Sequence, residues 1–231
     1  MSSLLEKIRS RGYWQVVIHP ATFIEKRVSN ISDLHPLVQK ISVQRGGWDF
    51  PYLDSHTPPH IDVDWIGQEP EWEHHLEVWR FYQSGQFVDI AGISEDWRDH
   101  SKWWPAPAEW RHGVSLDVVE VVFKFTVIFE FASRLSLTEA GDEQMHIEIA
   151  IKGINGRTLL DLPGRWPFSQ KRMASISELP YKVDLSRTQL IAEPRELALK
   201  PATELFRRFN WEPNIDILRD IQTKSLGVGV T

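Results

Sequence analysis
Runs of alternating residues and runs of helical spacing divide this chain into a short series of elements. Ser2 or Ser3 can cap a short helix through about Ile8. Trp14–Ile18 (WQVVI) is β-rich and closed by His19-Pro20, which predicts a strand. Leu34–Ile41 (LHPLVQKI) has helical spacing with a proline near its start, and Ile41–Gln44 has the composition to begin a second strand before Arg45-Gly46-Gly47 breaks it. His75–Tyr82 (HLEVWRFY) and Phe87–Ile93 (FVDIAGI) are aromatic and β-branched runs about the link Gln83-Ser84-Gly85-Gln86, a β-hairpin signal.

Val114–Leu137 carries two patterns at once. Phe123, Phe125, Val127, Phe129 and Phe131 alternate with Lys124, Thr126, Ile128 and Glu130, as on a strand. Val118, Val121, Val122, Phe125, Ile128, Phe129, Ala132 and Leu135 also fall on one helical face. Glu120–Lys124 and Glu130–Arg134 have the favourable i,i+4 order, and a strand this long would far exceed the usual ~5–6 residues. The prediction is one helix buried along a broad face. Met145–Leu160 then reads as a hairpin turning at Asn155-Gly156, Leu162–Ile176 as loop and Tyr181–Ile191 as a strand. Pro201 opens a short helix (ATELFRRF) and Pro213 another (NIDILRDIQTKSL), with Gly227 ending it and the tail 227–231 frayed. Without regular βαβ alternation, this order predicts an α+β fold over residues 1–231 as a single domain: hairpin strands packed against one long buried helix and C-terminal helices.

Composition narrows the chemistry. The 231 residues include no cysteine, which excludes disulfides, thiolate catalysis and Cys-type zinc sites. A net charge of −6 argues against a mainly electrostatic grip on nucleic acid. Glu6, Lys7, Arg9 and Arg11 interrupt the N-terminus where a signal peptide would be apolar, and Glu120, Lys124 and Glu130 interrupt the greasiest run, so the expectation is a cytoplasmic protein without a membrane span.

Three constellations could carry function. His60, Asp62 and Asp64 alternate with apolar residues, which on a strand would place an imidazole and two carboxylates on one face as a divalent-metal site, with His56, His74 or His75 folding back; a solvated strand face explains the same pattern. Trp97, Trp103, Trp104 and Trp110 lie in a proline- and charge-rich connection, EDWRDHSKWWPAPAEWRHG, where adjacent tryptophans seldom all face inward, so they are candidates for an interaction surface. Arg157, Arg165, Lys171 and Arg172 form a local basic patch for phosphate or nucleic acid, unless they simply face solvent. Ser84 in QSGQ lacks the glycine flanks of a nucleophile elbow, and no glycine-rich phosphate loop occurs.

The residues Arg45, Trp48, Asp49, Phe50 and Pro51 of RGGWDFP, then WRFYQSGQF from Trp79 to Phe87, then IFEFASRL, together resemble a bacterial protein family of unassigned function, some of whose members follow a DNA-binding module. The similarity spans Arg11 to about Leu226, and the expectation is that this chain departs from the pattern in having no attached module of its own. The resemblance implies a bacterial intracellular protein and supplies no catalytic residues. The expectation is an interaction or adaptor domain acting with a protein partner, without catalysis or a cofactor. The alternatives are a metal-dependent enzyme on a nucleotide or nucleic acid, with His60, Asp62 and Asp64 as ligands, and a nucleic-acid-associated regulatory or defence factor.

Overall fold
The computed structural model describes residues 3–44, 49–98, 112–160 and 171–227. Trp48, Trp103, Trp104, Trp110, Arg165 and the tail after Gly227 lie outside them. Helix α1 (Ser3–Arg9) precedes strand β1 (Tyr13–Pro20), and a 3₁₀ turn at Ile31–Asp33 leads into α2 (Leu34–Ile41). Five strands follow: β2 (His60–Ile61), β3 (Trp65–Gln68), β4 (Glu71–Trp72), β5 (His75–Tyr82) and β6 (Phe87–Gly92). After a 3₁₀ turn at Ser94–Asp96 come β7 (Ser115–Asp117) and α3 (Val118–Ser136). Strands β8 (Gln144–Lys152), β9 (Thr158–Leu160) and β10 (Glu178–Ser186) precede α4 (Arg187–Ala192), α5 (Pro194–Arg207) and α6 (Ile215–Gly227).

The α+β class is as expected. Eight antiparallel strands form one sheet in the order β10-β8-β1-β6-β5-β3-β2, with β4 paired to the start of β5. Period-2 alternation gives the sheet an apolar inner face. Trp14, Val16 and Ile18 of β1 stand beside Ile147, Ile149 and Ile151 of β8, and beside Phe87 and Ala91 of β6.

Helix α3 lies on that face. The α4–α6 layer packs against α3, whose buried positions occur all round its axis, as for an element enclosed between two layers. Asp117 caps it, accepting from the N–H groups of Val119 at 2.7 Å and Glu120 at 3.4 Å. Phe125 meets Trp14 edge-on at 5.2 Å, and Phe131 packs on Phe87 and Phe50 at 4.5 and 5.4 Å. On the outer face, Leu4 and Ile8 of α1 cover Leu76, Val78 and Ile90.

Several local expectations are corrected. Met145–Leu160 is not a closed hairpin: β8 pairs with β1 and β10, while β9 runs parallel to β7. The turn at Asn155-Gly156 exists, with Gly156 at φ 75°, but Arg157 is drawn inward immediately after it and redirects the chain. Tyr181–Ile191 is strand only to Ser186, because Ser186 and Gln189 form a capping box that starts α4. Pro201 sits inside α5, which Pro194 opens instead. Val43 contributes only an isolated bridge to Phe50.

One buried ion pair fastens these parts. Asp96 is fully buried and Arg157 is 1 % exposed. The guanidinium grips both carboxylate oxygens of Asp96, with Nη1 at 2.7 Å from Oδ1 and Nη2 on Oδ2. Arg157 also donates to the carbonyls of Gly153 (2.7 Å) and Ser115 (2.9 Å), while Asp96 accepts from the N–H groups of Gly12 (3.0 Å) and Gly113 (2.8 Å). Gly12 must stay bare, since a Cβ there would fall 2.2 Å from the guanidinium. Removing either partner leaves a buried charge uncompensated. Asp96→Ala or Arg157→Ala is therefore expected to lower stability by about 3–5 kcal/mol, measured by urea denaturation.

Candidate functional site
On an apolar sheet face, a carboxylate is out of place. Glu77 of β5 and Asp89 of β6 occupy inward positions in their strands, flanked by Trp79 and Phe81 and by Phe87 and Ala91. Both are essentially excluded from water, at 1 % and 0 % exposure. Helix α3 answers them with Lys124, whose Nζ lies 3.1 Å from Asp89 Oδ2 and 4.5 Å from the Phe50 ring centroid. His75 Nε2 lies 2.7 Å from Glu77 Oε2, and the Tyr52 N–H reaches both Glu77 oxygens at 3.3 Å.

The protonation of this group follows from burial. Desolvation pushes Asp89 up to about 8 despite Lys124, and it raises Glu77 as well. The neighbouring Glu77 carboxyl raises Asp89 further. Asp89 Oδ1 meets no protein donor, which leaves it able to carry a proton. Burial, with Lys124 adding to it, holds His75 down to about 4, so its contact with Glu77 is a neutral imidazole donating to a carboxylate rather than an ion pair. At neutral pH burial thus favours the protonated form of Asp89.

A cleft of about 90 Å³ opens from this group between the sheet and the first turns of α3. Asp49, His74, Glu95, Arg98 and Glu120 line it together with His75, Glu77 and Lys124. Glu120 is held by Arg98 at 3.0 Å. Glu95, 2 % exposed, accepts from the Asp117 N–H and from the Ser94 hydroxyl (3.0 Å). Burial, then the carboxylates of Asp117 and Glu120, push Glu95 up to about 7. Two larger grooves, of about 840 Å³ along α5 and about 680 Å³ beside His60, are open surface features whose lining includes the paired charges Glu69–Arg80 and Arg207.

The residues singled out from sequence are elsewhere. His60 and Asp62 do not continue along one strand: β2 ends at Ile61, and Asp62 N–H bonds the Trp65 carbonyl at 2.9 Å, turning the chain within four residues. His60, Asp62 and Asp64 are exposed, and among the described residues no three His, Asp or Glu side chains converge as metal ligands. Trp97 is half-buried against the α1 cluster, beneath the Arg11 guanidinium at 4.2 Å. Its companions Trp103, Trp104 and Trp110 lie outside the described residues. Of the basic patch, Arg157 is buried against Asp96 rather than facing solvent, and Arg165 lies outside the described residues. Arg172 donates to the Asn210 carbonyl, and Lys171 is exposed. Glu77, Asp89, Lys124 and Glu95 were not singled out. A usable signal existed, since Asp89 in FVDIAG and Glu77 in HLEVWRFY share the strand face of Phe87, Trp79 and Phe81.

The raised carboxyls set a pH dependence. Asp89 and Glu95 bind protons more tightly in the folded chain than at their ordinary values of about 4. Their contribution to stability is therefore full below about pH 4 and declines as pH rises, Glu95's being lost through about 7 and Asp89's through about 8. Asp89→Asn is expected to flatten this decline, measured as urea midpoints between about pH 5 and about pH 9. An unchanged slope in the variant would remove Asp89 as its source. No family model, curated protein or solved structure matches this chain, so the reading of the cleft rests on its own geometry.

Proposed function
We propose that this protein is an interaction domain, and that its cleft between the sheet and α3 receives a single positively charged side chain, arginine or lysine, from a protein partner. One observation carries the reading: burial holds Asp89 on the sheet face and Glu95 at the cleft well above the ordinary carboxylate range. Among the described residues, Asp49, Glu77, Glu95 and Glu120 line the cleft together with Lys124 and Arg98. An entering cation would supply positive charge, letting Glu95 ionise and releasing its proton. Displaced titration of this kind clusters at functional sites.

Size supports a head group rather than a nucleotide. The cleft holds about 90 Å³, against roughly 300–1,000 Å³ for pockets that enclose drug-sized ligands. A cytoplasmic setting and a bacterial source are part of this proposal, in line with the charged N-terminus and the resemblance of RGGWDFP and WRFYQSGQF; no helix among the described residues is long and apolar enough to cross a membrane.

The test is calorimetric titration with an arginine amide, in buffers of different ionisation enthalpy near neutral pH. The expected result is saturable binding with proton release, weakened at least tenfold in Glu95→Gln, which keeps the hydrogen bond from the Asp117 N–H. Absence of binding, or equal binding by wild type and Glu95→Gln, overturns the proposal.

A further inference from the structure
On the opposite, outer face of the sheet, three neighbouring strands bring His19 of β1, His146 of β8 and Asp184 of β10 into one row. His19 is the register partner of His146, and His146 is the register partner of Asp184. The two imidazole rings lie 4.8 Å apart between centroids, with their planes inclined at 37°. Both are accessible to solvent; the His146 side chain is 34 % exposed.

Hydrogen bonding fixes which nitrogen each ring presents. His19 Nδ1 lies 2.9 Å from the Pro20 carbonyl oxygen, which can only accept, so Nδ1 carries the hydrogen. His146 Nδ1 bonds the Asp184 carboxylate and is likewise the donor. In the neutral tautomer that these bonds select, the lone pair is on Nε2. Metal-bound histidines are oriented in the same manner, with one nitrogen donating to a carboxylate or backbone carbonyl while the other ligates.

We propose that His19 and His146 form a cross-strand, two-imidazole site for a late first-row divalent ion such as Zn²⁺ or Cu²⁺, bound through the two Nε2 atoms. Water completes the coordination. Imidazole pairs suit these ions over Mg²⁺ or Ca²⁺, which take oxygen ligands. No third His, Asp or Glu among the described residues joins the pair, and the next carboxylate on this face, Glu148, is held by Lys182 at 2.8 Å. The site is thus open, and it is separate from the His60, Asp62 and Asp64 turn.

Titration of the untagged chain with Zn²⁺ alone tests it. The expected result is a single saturable equivalent, weakened at least tenfold by His19→Gln or His146→Gln and unaffected by His60→Gln. Asp184→Asn is expected to weaken binding about tenfold, the lower end for loss of a ligand's supporting hydrogen bond. These side chains stand on the solvent face of the sheet, and circular dichroism of each variant confirms that the fold is kept. Absence of saturable binding, binding undiminished in both histidine variants, or loss in His60→Gln would each overturn the site.

Discussion

The bidentate grip of Arg157 on Asp96 decides how the ends of the sheet meet the rest of the molecule. It gathers the entry to β1 through Gly12, the approach to α3 through Gly113 and Ser115, and the turn after β8 through Gly153. None of these segments is adjacent in sequence, and each gives the pair a backbone group to bond. A guanidinium suits this task because its planar fork can serve a carboxylate and two carbonyls at once. The cost of burying both charges is met locally, since four hydrogen bonds reach the two carboxylate oxygens.

Its neighbour Glu95 shows the opposite treatment. Glu95 and Asp96 share one 3₁₀ turn and are equally buried, yet Glu95 receives an amide and a hydroxyl while facing the carboxylates of Asp117 and Glu120. One acid of the pair is fully compensated and the other is held near its titration point. The turn therefore does two things with adjacent residues: Asp96 locks the fold, and Glu95 is presented to the cleft. Rigid anchoring immediately beside a group with displaced titration is the arrangement expected of a preorganised binding site.

Much of the architecture was legible in the sequence because it rests on local periodicity. The α3 register, the β5–β6 hairpin and the α+β class follow from which positions are apolar, and burial confirms the helical face of Val118, Val121, Val122 and Phe125. What failed depends on partners distant in sequence. Asn155-Gly156 signals a turn but cannot say that Arg157 will be pulled toward Asp96, 61 residues earlier. His60, Asp62 and Asp64 alternate correctly for a strand, but a tight turn interrupts them. The cleft was overlooked for a related reason: a charged residue in an alternating run is assigned to the solvent face by habit, whereas Glu77 and Asp89 fall on the inward face. Lys124 likewise read as the polar side of α3 until the sheet supplied Asp89 to meet it.

The enclosure of α3 bears on how this chain can fold. Its apolar surface extends round the axis, so neither the sheet nor the α4–α6 layer alone can cover it. At the centre of the sheet, β1 has its second partner in β8, joining Tyr13 to Lys152 across most of the chain. Such a topology concentrates its stabilising contacts at large sequence separation, and proteins of that kind fold slowly because loop closure must precede the contacts that repay it. During synthesis, β1, β5 and β6 emerge well before β8, and α3 emerges before the helices that cover it. The nascent chain must therefore hold a phenylalanine-rich helix with one side bare, and transiently exposed apolar surface of this kind is prone to aggregate. Shortening the chain from its C-terminal helices would accordingly not release a smaller stable unit but strip the cover from the element at its centre.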